Sequence, residues 1–138
     1  SMKKRIPFEF ILDELANTDL HVKAMFGAYG VYVGEKIVMI LWKKEKSPLD
    51  TGIWLGIPDD QILEMKSQFP MLKDLTLFGT PPTAWQVLRE SESDFEELCF
   101  RFCKMIKQGN PMIGRIPKPR KLNKKTVKKK TEKKRTKK

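Results

Sequence analysis

From Arg115 to Lys138 the chain carries 14 Lys and Arg, a single acid, Glu132, and no aromatic side chain. Its apolar residues are Ile116, Leu122 and Val127. Such a segment cannot bury enough surface to offset the entropy of ordering it, so it is expected to be a disordered, Lys/Thr-rich tail. The foldable part is therefore limited to what precedes it. Ser1–Gly114 holds 14 basic and 16 acidic residues, together with all eight Phe, three Trp and two Tyr. The formal charge of +11 thus divides into about −2 for the body and +13 for the tail. Residues 3–114 suit one domain with one core, and 115–138 form the tail. Ser1-Met2 is read as an addition before a native start and left out of the fold argument.

The uncharged run Ala24–Gly34 has 11 residues and three glycines, and the longest, Leu75–Leu88, has 14 with Gly79, Pro81 and Pro82, against roughly 20 apolar residues for a membrane span. No membrane partner and no signal peptide are expected. Cys99 and Cys103 lie four apart on a predicted helix, a spacing that does not favour a disulfide. They are expected as reduced thiols of a cytoplasmic protein, Cys99 in the core and Cys103 at its edge.

Hydrophobic periodicity places the elements. Phe8, Ile11, Leu12 and Leu15 make a helical stripe over Pro7–Asn17, with Pro7 at the first position. Four strand-like runs follow: Val22–Phe26, Tyr29–Val33, Ile37–Trp42 and Ile53–Ile57. Gly34-Glu35-Lys36 reads as a three-residue hairpin loop. A second helix follows Pro58, capped by Asp59 or Asp60, with Ile62, Met65 and Phe69 inward and Pro70 as its stop. Two more strands, Thr76–Phe78 and Thr83–Leu88, flank Gly79-Thr80-Pro81-Pro82. The last helix carries Phe95, Leu98, Cys99, Phe102 and Ile106, with a Ser93/Glu96 capping box and a Gly109/Pro111 end. The order α-β-β-β-β-α-β-β-α on short connections predicts an α+β two-layer sandwich, a mainly antiparallel sheet with helices on one face.

Met25-Phe26-Gly27-Ala28-Tyr29-Gly30-Val31-Tyr32, leading into the Gly34 turn and an apolar strand, resembles the opening signature of the TfoX N-terminal domain family. The resemblance is specific over Val22–Leu41 and weaker to about Ile106. It implies a bacterial protein with a small α+β sandwich of the secretion-chaperone-like kind. Trp85-Gln86-Val87 before an acidic-start helix also resembles MmcQ/YjbR-like proteins, some of them thought to bind DNA. The second domain of full-length TfoX has no counterpart, and the basic tail stands in its place. The resemblance therefore implies a nucleic-acid-associated or regulatory module and does not carry a competence role with it. Read from the residues alone, Gly27 and Gly30 sit at a strand break where a missing Cβ is useful. Phe26, Tyr29, Val31 and Val33 are expected to pack towards the helices. Met25, Phe26, Gly27, Tyr29 and Gly30 are accordingly given a structural role, with contact to a ligand as the alternative.

Catalytic patterns are missing. His21 is the only histidine, and with Cys99 and Cys103 a four-ligand zinc site would need carboxylates or a second chain. Neither a Cys-x-x-Cys pair nor a phosphate-cradling glycine loop occurs. Asp59-Asp60 and Glu96-Glu97 fall in helix first turns, where the dipole accounts for them. The expectation is a non-enzyme with no cofactor and no metal. Trp42, Trp54 and Trp85 lie on strands, either in the core or on an open aromatic face able to stack bases or receive a protein partner or second copy.

The tail has the stronger binding chemistry. Arg115, Lys118, Arg120, Lys121, Lys124, Lys125, Lys128, Lys129, Lys130, Lys133, Lys134 and Arg135 can neutralise phosphates and release counterions without reading bases. Nucleic acid is the expected tail partner. The alternatives are a solubilising tail, an acidic protein or anionic lipid, and for the body a protein-interaction adaptor, a chaperone-like dimer or a small enzyme.

Overall fold

A computed structural model describes residues 5–77 and 84–117. Its sheet is built from hairpins whose turns the sequence dictates. Strand β1 (Leu20–Met25) meets β2 (Ala28–Val33) across the two residues Phe26 and Gly27. Both have positive φ, 50° and 82°, the signature of a type I′ turn, whose twist matches that of the flanking strands. Strand β3 (Lys36–Trp42) follows β2 after Gly34-Glu35. Val33 pairs with Lys36, so this loop has two residues rather than the expected three. Gly34 supplies the positive φ that the turn requires.

Strand β4 (Gly52–Gly56) pairs with β3 and with β6 (Trp85–Arg89), and the short β5 (Lys73–Asp74) closes the far edge. The order is β1-β2-β3-β4-β6-β5, antiparallel at every pairing. Gly52 has φ 148°, and a Cβ there would overlap the Leu88 carbonyl oxygen of β6. Only glycine lets the two backbones come that close. The expected strand Thr76–Phe78 is displaced to Lys73–Asp74, while Phe78 and Gly79-Thr80-Pro81-Pro82 lie outside the described residues.

Helices α1 (Phe10–Glu14), α2 (Ile62–Gln68) and α3 (Phe95–Lys107) cover one face. Ile11, Leu15, Met65, Phe69, Phe102 and Cys103 meet Val31, Met39, Leu41, Ile53, Leu55 and Leu88 in the main core. Strand alternation sends Ala28, Ile40, Trp42, Trp54 and Val87 to the opposite face, where they form a second buried cluster. An extra residue in β3 at Val38 shifts the register between Val31 and Tyr32. The bulge puts Val38 and Met39 both in the main core and returns Ile37 to the second cluster.

The fold class and element order are those read from the periodicity; the helix ends differ. α1 is five residues because Phe8, with φ 57°, interrupts the run from Pro7. α3 starts after Asp94 with no side-chain cap. The Phe95 N–H donates to the Glu92 carbonyl instead, so the Ser93/Glu96 box does not form. Asp59 and Asp60 sit in a 3₁₀ turn (Asp59–Gln61) before α2 and cap nothing. The end of α3 is as expected. Gly109 has φ 72°, its N–H donates to the Ile106 carbonyl, and that of Asn110 donates to the Met105 carbonyl, a Schellman closure.

Candidate nucleic-acid interface

The point where the basic segment leaves the body is firmly held. The Gly114 N–H donates to the Gly56 carbonyl at 2.7 Å, and Arg115 exchanges two backbone hydrogen bonds with Ile37. Gly114 and Arg115 therefore continue the line of β4 beyond Gly56. The Arg115 guanidinium Nη1 donates to the Ile57 carbonyl at 2.6 Å and to Asp59 Oδ1 at 3.0 Å. Arg115, counted with the tail on charge alone, is thus a structural residue of the body, its cation already matched by Asp59. Lys118, Arg120, Lys121, Lys124, Lys125, Lys128, Lys129, Lys130, Lys133, Lys134 and Arg135 lie outside the described residues.

Ile116 and Pro117 emerge beside the outer face of the β1–β2 hairpin, in a concavity shared with His21, Lys23, Tyr32 and Glu35. The register explains the grouping. His21 stands opposite Tyr32, Lys23 opposite Gly30 and Met25 opposite Ala28. These side chains share the face away from the helices. The Lys23 ammonium lies 5.0 Å from the Tyr32 ring centroid, a cation–π arrangement. His21 Nε2 is 3.2 Å from Asp19 Oδ1, both side chains being mostly exposed. Met25 folds over Gly30, leaving no room there for a Cβ.

The strip ends at the hairpin tip. Phe26 is fully exposed, which corrects the expectation that it packs towards the helices. Tyr29, Val31 and Val33 do face them. Gly30 lies within β2 and lacks positive φ, so the turn's glycine is Gly27 alone. Lys44 reaches the tip from the β3–β4 loop. Its Nζ is 3.9 Å from where a Gly27 Cβ would stand and 5.6 Å from the Trp42 ring centroid. Lys23, Tyr32, Phe26 and Lys44 thus form a basic and aromatic strip running from the Pro117 exit to the tip of the hairpin.

The tryptophans contribute less surface than their placement on strands suggested. Trp42 and Trp54 pack at 5.5 Å between ring centroids and are 5 % and 6 % exposed. The Trp54 indole N–H donates to the Asp50 carbonyl at 2.8 Å. Trp85, partly exposed, lies across Gly56. The Lys43–Thr51 loop that covers this cluster is itself pinned. Asp50 accepts from the Thr76 N–H at 2.8 Å and the Thr76 hydroxyl at 2.6 Å.

The remaining polar chemistry is local. Among the described residues no group of three or more His, Cys, Asp or Glu is placed to hold a metal ion. Cys99 and Cys103 are both fully buried, so Cys103 is not at the core's edge. Burial raises both thiols, Cys103 to about 12. Asp74 is lowered, first by the hydrogen bond from Gln86 at 2.8 Å and further by Lys66, against the opposing effect of burial. The sequence marks Phe26 as a signature residue but not its exposure, and it gives no sign of Lys44. The available signal was two residues ending in glycine between alternating strands; phenylalanine in place of the usual asparagine hid the turn.

No family model matches the chain, and neither the curated proteins nor the solved structures provide a similar one.

Proposed function

We propose that this chain is a non-enzymatic, nucleic-acid-associated module, regulatory in role and of the TfoX N-terminal kind. Its basic segment holds the phosphate backbone without sequence preference, and its body adds a smaller, shaped contact. The observation that carries this reading is the segregation of charge: about +13 in residues 115–138 against −2 in the rest. A dozen closely spaced cations, without an aromatic residue and interrupted by a single acid, Glu132, suit a polyanion better than an acidic protein surface, whose charges are sparser. The exit of the segment beside Lys23 and Tyr32 supports a continuous path from tail to body. The rival reading, a protein adaptor or homodimer using the aromatic sheet face, has less surface to use, because Trp42 and Trp54 are buried against each other.

The test compares the whole chain with one ending at Pro117, which keeps the Arg115 bridge intact. Binding to a duplex is measured from low to moderate salt. The whole chain is expected to lose affinity steeply, with a log–log slope near −0.9 for each phosphate neutralised. The shortened chain should bind weakly with a shallow slope. Equal binding by the two, or a flat response of the whole chain to salt, would remove the tail from the mechanism.

A further inference from the structure

Two described non-glycine residues have positive φ, Phe8 at 57° and Phe26 at 50°. A side chain with a Cβ is disfavoured there, so each needs compensation. Phe8 has it. Its ring lies 5.1 Å from that of Phe95, the Lys43 ammonium is 5.7 Å from its centroid, and it packs on the main core. Phe26 has none among the described residues, because its ring stands exposed at the hairpin tip. The turn chemistry sharpens the contrast. The first position of a type I′ turn favours Asn or Asp, which tolerate the left-handed region, and gains nothing from an aromatic ring. Backbone geometry and hydration therefore both work against phenylalanine at this site. An outlier of this kind points to a contact made outside the chain.

The surroundings indicate its chemistry. Lys44 stands beside Gly27, and Lys23 is three residues upstream on the strip. A projecting aromatic ring with one ammonium beside its turn and a second further along the strip matches a short stretch of nucleic acid, with a flat base for the ring and a phosphate for each cation. We infer that Phe26 is a stacking platform for an unpaired base of a single-stranded nucleic acid, with Lys44 and Lys23 taking the adjoining phosphates. In a duplex the faces of the bases are covered by their neighbours. A single ring on a two-residue turn finds an open π-face where a base is unstacked. This inference rests on the nucleic-acid reading above and adds to it a preference for single strands, located in the body.

The experiment uses the full chain with Phe26→Asn, Phe26→Trp and Lys44→Ala. The probes are an oligothymidine carrying one fluorescent base analogue and a duplex of equal length. Phe26→Asn places the favoured residue in the turn, so the melting temperature is expected to rise. Affinity for the single strand should nonetheless fall about tenfold, the scale of one lost base stack. Its salt slope should stay unchanged, since no phosphate contact is removed. Phe26→Trp should keep both the affinity and the quenching of the analogue. Lys44→Ala should weaken binding and reduce the salt slope by about one. Duplex binding through the tail should not respond to Phe26. Wild-type single-strand affinity in Phe26→Asn, or an equal loss for single strand and duplex, overturns the stacking role. Phosphatidylserine vesicles serve as a third probe, and a loss on Phe26→Asn confined to them also overturns it. A full chain that binds neither oligonucleotide at low salt overturns the nucleic-acid reading itself, so the two failures are distinct.

Discussion

Cys99 and Cys103 occupy consecutive turns of α3 and meet the sheet through fully buried side chains. A thiolate there would lose its hydration without gaining a cation close enough to replace it. Burial is the main cause of both upward shifts. The Cys103 sulfur and Glu96 add to it at Cys99, and Glu14 adds to it at Cys103 against the opposing Lys107. The sign of the pH effect follows. An unfolded thiol loses its proton near pH 8.5, whereas the folded chain holds both protons to higher pH. Above about pH 9 the unfolded state binds fewer protons, so stability is expected to fall as pH rises towards 12, with no contribution from this pair below about 8. Urea midpoints measured from pH 7 to 11 should show a steeper alkaline decline for the wild type than for a Cys99→Ala/Cys103→Ala chain. Parallel curves would mean that the thiols are not the cause. Alkylation of either cysteine should need prior unfolding.

Among the elements, the β3–β4 loop is the least expected. Its turn signals, Ser47-Pro48 and Asp50-Thr51-Gly52, are visible in the sequence, but its role as a cover is not. Asp50 links the loop to Thr76 through two hydrogen bonds, and its backbone carbonyl holds the Trp54 indole. The Thr51 hydroxyl accepts from the Lys44 N–H at 3.0 Å and lies within donating reach of the Lys44 and Ser47 carbonyls. Replacing Asp50 by Ala removes two hydrogen bonds to a buried carboxylate, each worth about 1.5–3 kcal/mol. A loss of about 3 kcal/mol in urea unfolding is expected, with Trp54 fluorescence moving towards that of an exposed indole. A loss below about 1 kcal/mol would show that the loop holds without it. Legibility follows the range of the interactions involved. α3 could be read because five apolar residues repeat on one helical face, and the strands because alternation is a local property. The length of α1 could not, since Phe8 turns against Phe95, far along the chain. The capping box was a sound pattern that lost to a backbone acceptor at Glu92. Asp50–Thr76 joins residues 26 apart, and nothing in either neighbourhood announces the pairing. The strip was half legible. Tyr32 and Lys23 lie within Val22–Leu41, where the family resemblance is specific, but their shared face depends on the register of β1 against β2.

At the scale of the whole molecule, the division between body and basic segment lies a few residues later than charge suggests. Arg115 has the composition of the tail and the contacts of the sheet. Ending the chain at Pro117 is expected to leave thermal unfolding essentially unchanged. Ending it at Gly114 removes two backbone hydrogen bonds and the guanidinium's contacts with Ile57 and Asp59, a loss of about 1–3 kcal/mol. Calorimetry of the two shortened chains separates the cases, and identical melting would show that the bridge is dispensable. A chain with Arg115→Ala should fall between them, because it keeps the backbone pair.

The same bridge determines how the molecule meets mechanical load. A load applied to the chain beyond Pro117 would reach the body at one place, the backbone pair between Ile37 and Arg115 at the end of the β4 line. Tension reaches those two hydrogen bonds, made to the start of β3, and the Arg115–Asp59 contact before it reaches the pairings between strands. Under such a pull this junction, held by two backbone hydrogen bonds and one ion pair, would give way before the ladders of the six-stranded sheet.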